Sequence, residues 1–520
     1  MTDISNLQVV DNVENMRTIE DASIKAVMTL GYFFPGDGGG GTYSYQDGDN
    51  WTEDSGGDVI ISTNKIRHWR LVQGSAQSVR QFGALGDNKH DDTDAIRRAL
   101  ERGVLMVPEG NYLITDNTLL KYLCSFSGAG ALIYNGQSFP VGPIHTTVTV
   151  HVPSTFATLA EALACVELFE LHAGFCNIQV ADGTYEVTQM SPQINIGPRV
   201  GILGNTSEPD KCVLKIACSN NQSCFNLEKG HSLGLINGFT IQGYNGHAGD
   251  GTWNTDCYGC GIRVTDGSTV NVGGAMIIND LYYGIQAKFG SSVNCDAGAV
   301  INRAGDCGVH AYAASIRCNG IKVTDCRDGT SLGFGVTAEA GGFVDATRSE
   351  ASGNYKAGFY SNGGHMWASY CKSHNNITHG FYVLNGGMME ANNSNAYDNP
   401  DCGFVATDGS YLLAFGSMSS RNNYGFGAWH ASAMDINGAS ADSNRIHGFI
   451  VANHAVMFHP STSTNNATDG WHIRGNSMYA ADSLTGSGNG GNNVYMTGRG
   501  MMSTTHNFTA SEVNTEVVVN

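Results

Sequence analysis

A glycine followed by an apolar residue recurs at near-constant spacing through the second half of the chain, and that period limits the fold more than any other feature. The glycines are Gly261, Gly284, Gly308, Gly335, Gly358, Gly380, Gly403, Gly425, Gly448 and Gly470, separated by 22 to 27 residues. Each unit, such as GFYVLNGGMMEANNSNAYDNPDC from Gly380 to Cys402, contains short alternating runs broken by Gly and Asn. Alternation at period two assigns strands, and the runs are too short and too glycine-rich for helices. One such unit cannot bury its own apolar face, so successive units must stack along an axis. Leucine-rich repeats share the period but need a leucine ladder, which is missing. The remaining solution is an all-β, right-handed parallel β-helix, each unit forming one coil about 4.8 Å above the last. Asn residues near the coil ends suit turns with left-handed backbone angles.

The coils can be aligned on their GG or GS turns. Val344, Met366, Met389, Leu412 and Met434 then form an inward column, and Ala368, Ala391 and Ala414 fit a narrow stacked core. Side chains on either side point outward, giving one column of Phe343, His365, Met388, Tyr411 and Ala433 and another of Asp345, Trp367, Glu390, Leu413 and Asp435. So many large apolar groups on an outer face make either the floor of a sugar groove or a seam between subunits. Asp345 and Glu390 stand two coils apart, about 9.5 Å between β-carbons. Their carboxyl groups can reach the separation of about 6.5 to 9.5 Å used by inverting glycosidases. Glu390 and Asp435 form a second such pair.

Asp345, Glu390 and Asp435 are therefore the candidate catalytic residues, with Glu339 and Glu350 as secondary acids. Trp367, His365 and Tyr411, together with Arg348, Tyr370 and Asn393 in a neighbouring outward column, are the candidate substrate-binding residues. Elimination would need a base and a cation, for which Tyr370, His365, Lys372, His374 and Arg348 are available. The scarcity of Lys and Arg on this face favours hydrolysis.

Composition narrows the partners. A formal charge of −19 argues against nucleic acid, whose binding relies on Lys and Arg. No run approaches 18 apolar residues, and the start MTDISNLQVVDNVENM lacks the basic and apolar regions of a signal peptide, so a soluble chain made in a cytoplasm, without membrane insertion, is expected. The 14 cysteines include one CxxC, Cys257 and Cys260, with no second pair to complete a zinc site, and read as buried thiols. His430 and His472 lack the paired spacing of metal ligands and read as turn or surface histidines. No metal and no cofactor is expected. GDGGGG (Gly36–Gly41) lacks the GK[ST] of a phosphate loop and reads as a tight turn.

Before the coils, VRQFGALGDNKHDDTDAIRRAL (Val79–Leu100) runs from a strand through a glycine turn into a helix capped by Asp92 or Thr93, with Ala95, Ile96, Ala99 and Leu100 as its apolar stripe. It reads as a cap over the open end of the core rather than a site, despite Asp87, Asp91 and Asp92. This segment resembles the opening signature of pectate-lyase-like β-helices in phage tailspikes and capsule depolymerases. GYFFPGDGGGGTYSY (Gly31–Tyr45) and the following DSGGDVIISTNKIRHWRLV resemble the small β-rich module that precedes that signature, and Val148–Val187 resembles the strand, helix and strand that lead into the coils.

The resemblance implies a homotrimer in a virion, joined to a phage tail or baseplate protein through its N-terminal part. It also implies action at the bacterial surface on capsular polysaccharide or lipopolysaccharide O-antigen; it supplies no catalytic residues. The expected plan is an attachment module (1–75), a lead-in and cap (76–145), the β-helix with its glycan face (146–490) and a short C-terminal segment (491–520). A non-catalytic glycan-binding fibre and a secreted pectate-lyase-like enzyme are the competing readings.

Overall fold

The computed structural model describes residues 6–45, 53–72, 77–191, 197–216, 222–243, 259–328, 332–504 and 513–516. The chain divides into two units, Met1–Gln179 and Val180–Asn520.

In the first unit a five-stranded sheet runs Leu7–Val10, Ala26–Thr29, Gly41–Tyr45, His68–Leu71, Val59–Ile61 in spatial order. Val13, Met16, Val27, Tyr43, Ile60 and Trp69 form its core. The glycine-rich segment is a turn wound on a carboxylate: Asp37 accepts the N–H groups of Tyr32, Phe33, Phe34 and Gly39. Val79–Phe82 is a 3₁₀ turn rather than the expected strand, because the Gln81 side chain reaches back to accept the Ser78 N–H. The helix Thr93–Glu101 buries Ala95, Ile96 and Ala99 as expected, but its cap differs. Asp91 accepts the Thr93 N–H and hydroxyl, whereas Asp92 turns back to accept the N–H groups of Leu85 and Gly86.

The second unit is a parallel β-helix of three sheets, here A, B and C. One coil contributes Phe343–Asp345 to sheet A, Glu350–Ser352 to sheet B and Ala357–Asn362 to sheet C. Sheets B and C each hold 13 parallel strands. The inward column of sheet A is in register through Val344, Met366, Met389, Leu412, Met434 and Met457, and all six are fully buried. In sheet C, Phe359, Phe381, Phe404, Phe426, Phe449 and Trp471 stack with ring centroids 4.6–5.6 Å apart.

Asn375, Asn385, Asn393, Asn453, Asn465 and Asn476 take the expected left-handed angles, but a second set of asparagines has another role. Asn354, Asn376, Asn399, Asn422, Asn444 and Asn466 are buried and donate Nδ2–H to the Oδ1 of the next Asn, ending at Asn489, at 2.9–3.4 Å. The positive φ falls one residue earlier, at Gly353, Asn375, Asp398, Arg421, Ser443, Asn465 and Gly488. From Gly335 onward this ladder also explains the glycine period; at Gly261, Gly284 and Gly308 the side chains of Ile278, Ile301 and Val323 fill the same space. A Cβ on Gly403 would lie 2.1 Å from Ser419 Oγ and 2.8 Å from Asn422 Nδ2, so the ladder side chains occupy the space that any larger residue would need. Eleven of the twelve described thiols are buried and unpaired; Cys257 lies outside the described residues.

Candidate active site

Between Phe343 and Asp435 the sheet A strands are three residues long, and their outward columns carry the expected residues in register. Phe343 packs edge-on against Trp367 (4.9 Å) and His365 (5.6 Å), and Trp367 is 40% exposed. His365 Nε2 is shielded and has no hydrogen-bond partner among the described residues; the nearest Glu390 oxygen is 3.9 Å away. Glu390 itself is half-buried.

The two other acids of the column are tied to neighbours. Asp345 is 8% exposed, accepts the Thr347 N–H and hydroxyl at 3.2 and 2.8 Å, and accepts Asn319 Nδ2–H at 3.2 Å. It closes the turn from sheet A to sheet B. Asp435 is equally buried and pairs with His459.

Arg348, Tyr370 and Asn393 are not in a strand column, because the strands have already ended. They occupy the following turns at φ 63°, 60° and 54°, with the Arg348 guanidinium 5.6 Å from the Tyr370 ring centre. Lys372 and His374 lie on sheet B, where His374 stacks on Tyr397 and lies 3.5 Å from Glu350. The residues considered for elimination are therefore split between faces. Glu339, Asp345 and Glu350, acids of neighbouring strands, belong to sheets C, A and B respectively.

Sheet C carries a denser constellation. Its outward middle column is Gln286, His310, Thr337, Tyr360 and Tyr382, and the column beside it includes Lys288, Tyr312 and Glu339. Gln286 Nε2 lies 3.2 Å from His310 Nδ1. With Gln286 donating there, the imidazole proton resides on Nε2 and is donated to Glu339 Oε2, 3.0 Å away. Asn362 donates to the other Glu339 oxygen at 3.2 Å.

At the opposite end of the strand the Tyr283 hydroxyl donates to Asp306 Oδ2 at 2.8 Å, and the Tyr283 ring stacks on His310 with centroids 5.3 Å apart. Phe334, Tyr360 and Tyr382 continue the row of rings along the axis, at 4.2 and 5.5 Å between successive rings, with Tyr360 buried and Tyr382 half-buried.

The two carboxyl groups are driven apart. Burial raises Asp306 above the ordinary carboxylate range, and the Tyr283 hydrogen bond offsets this only in part. The hydrogen bond from His310 lowers Glu339, against its own burial. A carboxyl group raised by burial and another lowered by a histidine, on one face, have the opposed displacements that general acid–base catalysis uses. Of this group, sequence reasoning reached only Glu339, as a secondary acid. The available signals were the 27-residue interval from Gly308 to Gly335 and the related runs GIQAK, GVHAY and GVTAE, whose third and fifth residues include Gln286, Lys288, His310, Tyr312 and Glu339.

Three stacked sheets of parallel strands define the chain as a parallel β-helix. Residues 76–333 match the family described as rhamnogalacturonase A/epimerase, pectate lyase-like, which bears out the resemblance read from the sequence. Among solved structures, the chain is similar to the enzymatically active domain of tailspike protein 2 of bacteriophage CBA120 at 13% identity and a TM-score of 0.27, covering 87% of this chain and 57% of that one. It is also similar to the catalytic domain of a GH87 α-1,3-glucanase in complex with nigerose (12% identity, TM-score 0.42, 74% and 76% covered). A third similar structure is the periplasmic alginate epimerase AlgG (9% identity, TM-score 0.40, 85% and 92% covered).

Proposed function

We propose that this chain is a polysaccharide depolymerase of the tailspike kind, acting on a bacterial capsule or O-antigen, with its chemistry on sheet C. The observation that carries the reading is the opposed displacement of Asp306 and Glu339 across a strip lined by Tyr283, His310 and Tyr360. In hydrolysis, Asp306 gives its proton to the glycosidic oxygen as the bond from that oxygen to the anomeric carbon breaks. Glu339 takes a proton from the water whose oxygen bonds to the same carbon. His310 holds Glu339 ionised and Gln286 holds the His310 tautomer. The half-buried Tyr382 can contact a neighbouring sugar, supported from beneath by Tyr360, which is itself buried against Phe334.

On sheet A, Phe343, His365 and Trp367 with Tyr411 supply a second sugar-binding surface, flanked by Arg348, Tyr370 and Asn393. Glu390 beside His365 supports a second reading, in which Asp345, Glu390 and Asp435 carry the cleavage. Assembly as a homotrimer on a virion tail, attached through residues 1–75, belongs to the same proposal.

The test is incubation with purified host glycan, following new reducing ends and the ultraviolet absorbance of an unsaturated sugar end. Hydrolysis gives reducing ends alone; elimination gives both, and would assign Lys288 and Tyr312 as cation and base. Loss of cleavage in Asp306→Asn and Glu339→Gln, with retention in Asp345→Asn and Glu390→Gln, is the expected pattern. The reverse pattern moves the chemistry to sheet A, and binding without cleavage by the unaltered chain makes it an adhesin.

A further inference from the structure

We propose that His447, Asp469 and His472 bind one divalent transition-metal ion of the zinc class, clamping two successive coils together. The site is independent of the proposed glycan chemistry: it lies on sheet C five coils beyond Glu339, about 24 Å along the axis. His472 is not the surface histidine that its linear context suggests, since coil stacking places its ring 4.4 Å from that of His447, and both side chains are only 12–13% exposed. The pairing that the sequence lacks within one strand is supplied between strands.

Three donor atoms converge. His447 Nδ1 is 3.4 Å and His472 Nδ1 is 3.0 Å from Asp469 Oδ2, and all three atoms lie within 4.8 Å of one another. Bonds of about 2.0–2.1 Å in a tetrahedron give ligand-to-ligand edges of about 3.3 Å, so little movement is needed. The carboxylate is anchored from behind, its Oδ1 accepting the Asn492 N–H at 3.1 Å.

His447 Nδ1 accepts the Asp469 N–H at 3.3 Å, so this nitrogen carries a lone pair rather than a proton, with Asp469 Oδ2 3.4 Å from it. Thr468 Oγ1 is 2.8 Å from the same nitrogen while donating to the Ile446 carbonyl, which leaves an oxygen lone pair nearby. Two imidazoles and one carboxylate suit zinc, cobalt or nickel and are a poor set for calcium or magnesium.

The Arg474 guanidinium is the neighbouring basic group whose charge opposes a cation here. The comparable group of His379, Asp401 and Cys402 is a weaker ligand set, because burial pushes the Cys402 thiol far up and it donates its proton to Asp401.

The experiment is calorimetric titration of the chelator-stripped full chain with zinc alone, repeated with cobalt to read visible absorption bands from nitrogen and oxygen ligation, with melting scans of both forms. The expected result is one ion per chain, a melting transition raised by zinc, and at least tenfold weaker binding in both Asp469→Asn and His472→Asn. Arg474→Gln should bind at least as tightly as the unaltered chain. His379→Ala, the control, leaves binding unchanged. Circular dichroism checks that each variant is folded, and cobalt spectra of His472→Asn serve if Asp469→Asn is not. Absence of saturable binding in the unaltered chain, unchanged affinity in the folded variants, or loss of binding in His379→Ala overturns the assignment.

Discussion

Replacing Asn399 by alanine should open the middle of the β-helix locally, and the cost can be worked from its bonds. Asn399 Oδ1 accepts both the N–H and an Nδ2–H of Asn376, at 3.1 and 3.0 Å. Its own Nδ2 donates to Asn422 Oδ1, Ser373 O and Tyr397 O. After truncation Asn422 Oδ1 keeps the Asn399 backbone N–H as partner, and Asn376 Nδ2 keeps Ser373 Oγ. Two donors of Asn376 are left unpaired in the core, at about 1–3 kcal/mol each, for a total of about 2–6 kcal/mol. A water entering the vacated space would bring the value toward the lower figure. Because each coil contacts chiefly its neighbours, the loss should be local. Amide exchange in the strands around 372–374, 395–397 and 418–420 should accelerate by about 30-fold or more, at 1.36 kcal/mol per decade. Strands near 270 should keep their protection. An acceleration below about fivefold, or one spread evenly over the coils, would refute the ladder as a source of stability.

Other outcomes follow from the same geometry. Phe404→Ala removes a fully buried ring from the middle of the stack and should cost about 3–5 kcal/mol, whereas Tyr370→Ala, at a 57% exposed turn position, should stay within about 0.5 kcal/mol; chemical denaturation compares them. Asp306→Asn and Glu339→Gln should each lower kcat on the host glycan by about 10²–10⁴-fold while fluorescence titration shows the glycan still binding. The pH profile of kcat/KM should be a bell. Its acid limb is Glu339, which must be ionised, so activity falls only once the pH drops below the ordinary carboxylate range. Its alkaline limb is Asp306, which must hold its proton, so activity falls as the pH rises past its elevated value. His310→Ala should move the acid limb upward by removing the bond that lowers Glu339.

The β-helix was legible because its constraint is periodic. A glycine that must admit an inward side chain from sheet B or its following turn recurs once per coil, and Gly403 beside Ser419 and Asn422 shows why no other residue serves. The facing of sheet A was legible for the same reason: alternation fixes orientation, and Val344 through Met434 point inward as read. The boundaries of the strands were not. Arg348, Tyr370 and Asn393 extend the alternating pattern on paper, yet the backbone has turned through a left-handed residue at each of them. Asp345 illustrates a second limit. Its column is a matter of period, but its engagement by Thr347 and Asn319 depends on turn geometry that the pattern does not encode.

The constellation on sheet C shows where a one-dimensional reading fails. Tyr283, Asp306, His310, Glu339 and Asn362 are spread over 80 residues of sequence; Tyr283 to Asp306 and Glu339 to Asn362 are each one 23-residue coil apart, but many other pairs share that spacing and the period does not single these out. Stacking turns these separations into contacts of about 3 Å between side chains on neighbouring coils. Charge counting also misleads here. Asp306 and Glu339 are two acids in a strongly acidic chain, and only burial on one side and a histidine on the other make them chemically unlike. What selects them from the other carboxylates is environment: Asp345 is held by three donors in a turn, while Asp306 combines desolvation with a tyrosine hydroxyl and an adjoining imidazole. A repeat fold thus supplies many equivalent positions, and the chemistry proposed for this chain falls where a few coils break that equivalence.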